Sequence, residues 1–293
     1  MRLFDLHCDT AYEMYKRNCG LFENSLHIGL DRASKIDEYM QLMAVWCDKE
    51  RSDEECYEDF HKIADHLQKN EKKASKKFRY ILTVEDARLL CGQIERLDEL
   101  AKRGVRVLTP LWEGETIIGG AFNTSTGLSD FGKKVVLRCT ELGIVLDISH
   151  ASAESADDIF RIAETEGKSV IASHSCSFEV YPHPRNLRDT QFEKVKASGG
   201  IVGLSFCRYH LTKSDVCPPE IILKHITHFL ELGGENVICL GADMDGAPMP
   251  DGIDGIEYIP ILYAKLCERF GKVIADKITW GNAFSFFEIN KII

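Results

Sequence analysis

Short apolar or β-branched runs recur along this chain, and between them lie longer stretches in which apolar residues return every three or four positions. The runs near Arg2–Leu6, Leu42–Trp46, Arg79–Val84 and Val105–Thr109 predict strands, as do those near Ile144–Ile148, Ser169–Ser173, Gly200–Phe206 and Val237–Gly241. Amphipathic helices are predicted over Asp130–Leu142, Ala153–Glu166, Pro219–Leu232 and Ile259–Phe270. Ser129, Ser152 and Pro218 stand where a helix start needs a cap or turn residue, and Gly143, Gly167, Gly233 and Gly271 mark the ends. Strands alternating with helices imply a parallel sheet. Eight of them favour a closed (β/α)8 TIM-type barrel over an open doubly wound sheet. No linker or shift in composition breaks the pattern, so residues 1–293 read as one barrel domain. The lysine-rich run Asn70–Lys77 reads as a solvated loop between a helix and a strand.

Charge narrows the partners. With 36 Lys and Arg against 46 Asp and Glu the chain carries −10, a field that repels phosphate backbones and anionic lipid, so neither nucleic acid nor a membrane surface is expected as a partner. No apolar run approaches the ~20 residues of a membrane span. The 11 cysteines are odd in number, scattered and free of any CxxC pair, a usage that fits reduced thiols in the cytoplasm. The opening Met1-Arg2-Leu3-Phe4-Asp5 reaches an acidic residue at once, unlike a secretory signal. A cytoplasmic location is therefore expected.

In a barrel the chemistry sits at the carboxyl ends of the strands. Applied here, that rule collects His7 and Asp9 after the first strand, Glu85 after the third, His150 after the fifth, His174 after the sixth and Asp243 after the eighth. Imidazoles and carboxylates converging from separate strands are the ligand set of a two-metal hydrolase. In His7-x-Asp9 the alternation of a strand sends both side chains to one side, and turns Cys8 away as a small buried residue. Taken singly, each has a plainer reading: a strand-end histidine can be a hydrogen-bonded turn residue, and Glu85 can cap a helix starting near Asp86. No lysine stands at any predicted strand end, so a carbamylated lysine bridging two metals is not expected; a glutamate can bridge through its two oxygens.

The stretches Asp5-Leu6-His7-Cys8-Asp9-Thr10, Gly127-Leu128-Ser129-Asp130-Phe131-Gly132 and Leu146-Asp147-Ile148-Ser149-His150 point further. So do Val170-Ile171-Ala172-Ser173-His174-Ser175, His183-Pro184-Arg185-Asn186-Leu187 and Gly241-Ala242-Asp243-Met244-Asp245-Gly246. In this order, over nearly the whole chain, they resemble the renal (membrane) dipeptidase family of zinc metallopeptidases in its bacterial cytoplasmic form. The resemblance implies two Zn2+ per chain, with His7 and Asp9 on one, His150 and His174 on the other, and Glu85 between. It implies Arg185 as the anchor of the substrate's free carboxylate, Asp243 as the acid–base group, Asp245 as a turn residue, and a homodimer. The activity implied is hydrolysis of dipeptides by a hydroxide shared between the two metals.

One position departs from that pattern. Where the family's strand four ends in a histidine that polarises the scissile carbonyl, this chain has Trp112, whose indole N–H donates but cannot become cationic. Trp112 is either a substrate contact or a packing aromatic at the rim. Gly114, Gly119 and Gly120 predict a flexible or tight loop over Glu113–Thr126 at the mouth. Two rival functions stay open: another two-metal amidohydrolase acting on N-acyl amino acids or lactones, and a metal-binding module without catalysis, against which Asp243 argues.

Overall fold

The computed structural model describes residues 1–71 and 77–293. Eight parallel strands form in the predicted order: β1 (Arg2–Cys8), β2 (Glu38–Trp46), β3 (Phe78–Glu85), β4 (Val105–Thr109), β5 (Val145–Asp147), β6 (Val170–Ile171), β7 (Val202–Leu204) and β8 (Ile238–Leu240). They pair in the order β6-β5-β4-β3-β2-β1-β8-β7. A parallel bridge from Ala172 to Val202 brings the two edges together. The result is the expected (β/α)8 TIM-type barrel.

The first three strands run longer than the hydrophobic pattern predicts and the last four shorter. Between β6, β7 and β8 the backbones crowd so closely that a Cβ on Gly203 or Gly241 would lie 1.9 or 1.8 Å from the Ser173 carbonyl oxygen. Only glycine allows that approach.

Helices fill the crossovers: α1 (Thr10–Arg17), α2 (Asp53–Glu71), α3 (Glu95–Arg103), α4 (Asp130–Leu142), α5 (Ala153–Thr165) and α6 (Asp189–Ala197). The short α7 (Arg208–Leu211), α8 (Glu220–Glu231), α9 (Ile259–Phe270), α10 (Lys272–Asp276) and α11 (Asn282–Ile289) follow. Ser129 Oγ accepts the Gly132 N–H and Ser152 Oγ the Ser155 N–H, each at 2.9 Å, so both predicted serine caps form. The predicted loop over Asn70–Lys77 begins later than expected, because α2 continues through Glu71; its remainder lies largely outside the described residues.

Alternation along the strands divides the apolar residues into two cores. Leu3, Tyr39, Val45, Leu82, Val84, Leu108, Leu146 and Val170 join the helices in an outer core. Phe4, Leu6, Met40, Leu42, Ile81, Val107, Val145, Ile171, Ile201 and Cys239 fill the barrel, sealed below by Trp280, Phe286 and Phe287. The Phe4 ring stacks on Phe287 at 5.1 Å. Above this apolar plug the same inward parity places Glu85, Thr109, Asp147 and Ser173, so the barrel changes from apolar to polar towards its carboxyl end.

Candidate metal centre and substrate pocket

β1 reaches this polar layer through an irregularity. Its register against β2 advances from Asp5–Gln41 to Cys8–Met43, one extra residue in β1. This bulge lets Leu6 sit in the inner core while His7, next in sequence, joins the mouth. The predicted strand alternation is therefore corrected: the pair His7 and Asp9 converges because the strand bulges and then ends, Asp9 being the first residue before α1. The Asp5 carboxylate supports the bulge, accepting the His7 N–H at 3.1 Å, the Gln41 amide at 2.9 Å and the Ala242 N–H at 2.9 Å.

The other imidazoles are held by their far ring nitrogens. His150 Nδ1 lies 2.8 Å from the Trp112 carbonyl oxygen, which can only accept, so Nδ1 carries the proton and Nε2 a lone pair. His174 Nδ1 lies 2.7 Å from Ser173 Oγ, whose hydroxyl is directed to Asp147 Oδ2. Its Nε2 is then bare as well. Asp147 also accepts from Thr109 Oγ1 at 2.6 Å, Ser149 Oγ at 2.6 Å, the Ser149 N–H at 3.0 Å and the Ser173 N–H at 2.9 Å.

These donors face one another across very short gaps. His150 Nε2 is 3.0 Å from His174 Nε2 and 2.8 Å from Glu85 Oε1, and His174 Nε2 is 3.5 Å from the same oxygen. The second Glu85 oxygen lies 3.7 Å from His7 Nε2, which is 3.4 Å from Asp9 Oδ2 and 3.9 Å from Asp243 Oδ1. Among the described residues, His7 Nε2, Asp9 Oδ1 and Glu85 Oε1 are buried without a hydrogen-bond partner. Buried lone pairs pointed at one another are unfavourable unless a cation lies among them. The donor set of imidazole nitrogens and carboxylate oxygens fits a borderline-soft dication. The plainer reading of Glu85 as a helix cap is excluded, since Asp86 caps the turn Ala87–Leu90 by accepting the Arg88 N–H at 3.1 Å.

Burial and charge act on these groups in opposite senses. Burial drives His150 and His174 well below the ordinary histidine value, reinforced by the Arg185 charge and by His7. Burial also opposes a charge on His7, but Glu85, Asp9 and Asp243 outweigh it and push that imidazole up to about 10. Glu85 is driven well above the carboxylate range by burial, and Asp243 is raised to about 6, again chiefly by burial.

Asp243 holds a left-handed backbone (φ 61°) with its N–H on the His7 carbonyl at 3.1 Å. Gly246 lies against this turn, and a Cβ there would fall 2.0 Å from Asp9 Oδ2. Asp245 faces away, accepting from Thr10 Oγ1 at 2.5 Å and the His27 N–H at 2.6 Å, the turn role expected of it.

Over these groups opens a cavity of about 540 Å³, bordered by Tyr12, Trp46, Trp112, Phe122, Arg185 and His210 among others. Arg185 is 4% exposed, yet neither terminal guanidinium nitrogen has a partner among the described residues. Trp112 packs on Trp46 with ring centroids 5.0 Å apart. The Glu113–Thr126 loop is tight: Glu115 bridges Gly120, Gly119 bridges Leu128 and Ala121 bridges Ala151.

The sequence profile of the membrane dipeptidase family, peptidase family M19, matches residues 48–291. The chain belongs to this family. Membership makes it a metallo-dipeptidase, a hydrolase. The matched span begins after β1, so the place of His7 and Asp9 rests on the geometry above. A Klebsiella pneumoniae protein encoded in the pqqA 5′ region is 27% identical over 212 residues, 68% of this chain and 77% of that one. The crystal structure of dipeptidase AC, a family M19 metallopeptidase, superposes with a TM-score of 0.89 at 24% identity, covering 98% of each chain. A Rhodobacter sphaeroides metallopeptidase, solved with a phosphinate mimic of the dipeptide L-Ala-D-Ala, superposes equally well at 23% identity, over 98% of this chain and 99% of that one. Despite the family's name, no described helix is long and apolar enough to cross a membrane.

Of the site residues expected from sequence in this M19 chain, Asp9, Glu85, Trp112, His150, Arg185 and Asp243 border this cavity, and His7 and His174 lie beside it against Glu85. The two braces, Asp5 and Asp147, stand within the motifs, but the motifs alone give them no role. The signal available was a carboxylate inside an apolar strand, which is rarely buried without partners.

Proposed function

We propose that this family member hydrolyses dipeptides with two zinc ions, His7 and Asp9 holding one, His150 and His174 the other, and Glu85 lying between them. The observation that carries this reading is the convergence of the bare ring nitrogens of His150 and His174 on one Glu85 oxygen, and of the His7 Nε2 with Asp9 and the other Glu85 oxygen on the second side. Zinc in such a set supplies a Lewis acid for a carbonyl oxygen and lowers the pKa of water towards 7.

The chain's own groups perform the remaining work. The unpartnered Arg185 fork receives the substrate's C-terminal carboxylate bidentately, which restricts cleavage to peptides with a free acid one residue past the scissile bond. Asp243, whose Oδ1 lies 3.9 Å from His7 Nε2 at the border of the cavity, accepts the proton of the attacking water and returns it to the departing amine. Trp112, with Trp46 and Phe122, forms an aromatic wall for an apolar substrate side chain. The bridges within the Glu113–Thr126 loop hold the segment that carries Phe122, and Trp112 is packed on Trp46. The cysteines of the described chain are all free, in keeping with a reducing compartment, and we place the enzyme in the cytoplasm.

The deciding experiment measures zinc per chain and compares free dipeptides with their C-terminal amides on the parent and on Arg185→Ala. Two zinc per chain and a strong preference for the free acid, lost in the variant, are expected. Equal cleavage of acid and amide by the parent would defeat the anchor. Trp112 favours a second reading, hydrolysis of N-acyl amino acids or lactones, which a panel of those substrates separates from dipeptide cleavage.

A further inference from the structure

His210 was not among the sequence-derived candidates, yet it borders the same cavity as Arg185 and is 8% exposed. It sits in α7, directly after β7. Asn186, the residue after Arg185, donates its side-chain amide to the His210 carbonyl at 2.7 Å and to the Tyr181 carbonyl at 2.8 Å. The loop bearing Arg185 and the turn bearing His210 are thus clamped to each other. The His183 ring lies between them, its Nδ1 accepting the Arg185 N–H at 3.2 Å and its centroid 5.1 Å from that of His210.

The tautomer of His210 follows from its neighbour. Ser205 Oγ accepts the Cys207 N–H at 3.1 Å and lies 3.2 Å from His210 Nδ1. Ser205 is fully buried, and its hydroxyl proton has no other acceptor among the described residues. The network is complete only if Ser205 donates to Nδ1, which leaves the proton of the neutral ring on Nε2. Burial, with the Arg185 charge, holds the ring neutral. Its Nε2–H has no partner among the described residues.

We propose that the His210 Nε2–H is a second donor to the substrate's C-terminal carboxylate, completing with Arg185 a three-donor anion site. This rests on the reading of Arg185 as the carboxylate anchor. A carboxylate offers about four lone-pair positions and a bidentate guanidinium fills two, so a neutral donor beside it adds a bond without adding charge. With its proton fixed by Ser205 and its backbone clamped by Asn186, His210 is ordered before substrate arrives.

The test uses the zinc-loaded enzyme with Leu-Leu and Leu-Leu amide, on the parent, Arg185→Ala, His210→Asn and His210→Gln. Asparagine keeps an acceptor for Ser205 but lacks the outer donor; glutamine restores a donor at comparable reach. His210→Asn should raise KM for Leu-Leu about ten- to a hundredfold, leave kcat and zinc content near the parent's, and leave Leu-Leu amide kinetics unchanged. His210→Gln should recover most of the loss. A parental KM in His210→Asn overturns the proposal, as does a fall in kcat at constant KM, which would place His210 on the scissile carbonyl. If Arg185→Ala keeps the parent's preference for acid over amide, the underlying anchor reading fails instead. If Arg185→Ala loses it while His210→Asn does not, only the present proposal falls.

Discussion

The two sides of the metal centre are built on different principles. On the side of β5 and β6, two neutral imidazoles are fixed by their far ring nitrogens: the buried Asp147 gathers Thr109, Ser149 and Ser173, and Ser173 in turn orients His174, while the Trp112 carbonyl orients His150. On the side of β1 and β8, three carboxylates crowd one imidazole, and Asp5 holds backbone N–H groups in place of ligands. The first side is rigid and satisfied except for the lone pairs it presents. The second carries surplus negative charge that only a cation or a proton relieves. A metal centre can therefore be preorganised by geometry on one flank and driven by electrostatics on the other.

Glu85 joins the flanks, so its removal should have the largest effect. Glu85→Ala is expected to lose most bound zinc and about three orders of magnitude in kcat/KM, read by metal analysis and steady-state kinetics. Full zinc occupancy in the variant would show the flanks to be independent.

The braces come next. Asp147→Asn should lower metal affinity by roughly 10- to 100-fold, because an amide cannot accept from all five donors that converge there. Asp5→Asn should mainly cost stability, about 1–3 kcal/mol for the unsatisfied N–H groups, with metal affinity changed less. Chelator competition and thermal melts separate the two, and equal losses of zinc would erase the distinction between the flanks.

The third effect appears in the metal-free protein. His7, raised to about 10 against an ordinary value near 6.5, contributes stability that is complete below the unfolded value and lost as pH climbs towards 10. Asp243, raised to about 6, works in the same direction between roughly pH 4 and 6. The Tm of chelator-treated protein should thus fall from pH 7 to 10, and His7→Asn should flatten the decline. A metal-free Tm that does not change over this range contradicts the picture of a charge-crowded flank.

The smallest effect belongs to the rim. Trp112→Ala should narrow the kcat/KM ratio of Leu-Leu to Gly-Gly several-fold, with zinc content intact, because the Trp112 carbonyl that orients His150 survives the substitution. Trp112→His should recover activity on small dipeptides. An unchanged ratio in the alanine variant would leave the indole as a packing residue.

Much of this was legible from the chain alone. Apolar runs ending in His, Asp or Glu announced both the barrel and its ligands, because strand ends are where a parallel barrel exposes side chains. The β1 bulge was not legible, since an extra residue in one strand shows only against its neighbour's register. Nor was the Asp147 network, which depends on three strands being aligned to within a residue. His150 owes its tautomer to a main-chain carbonyl, which no side-chain motif encodes. His210 lies on a four-residue helix too short to leave a periodic pattern.

The seal beneath the barrel has a consequence for how the molecule forms. Phe4, near the start of β1, is closed in by Trp280 and Phe287, from the last segment of the chain. The interior beneath the catalytic layer thus depends on contacts between residues nearly as far apart in sequence as the chain allows. Such non-local closure makes folding slow. Until that final segment docks, Phe4 and Leu6 line an open-ended barrel, and the strand carrying His7 lacks its apolar floor.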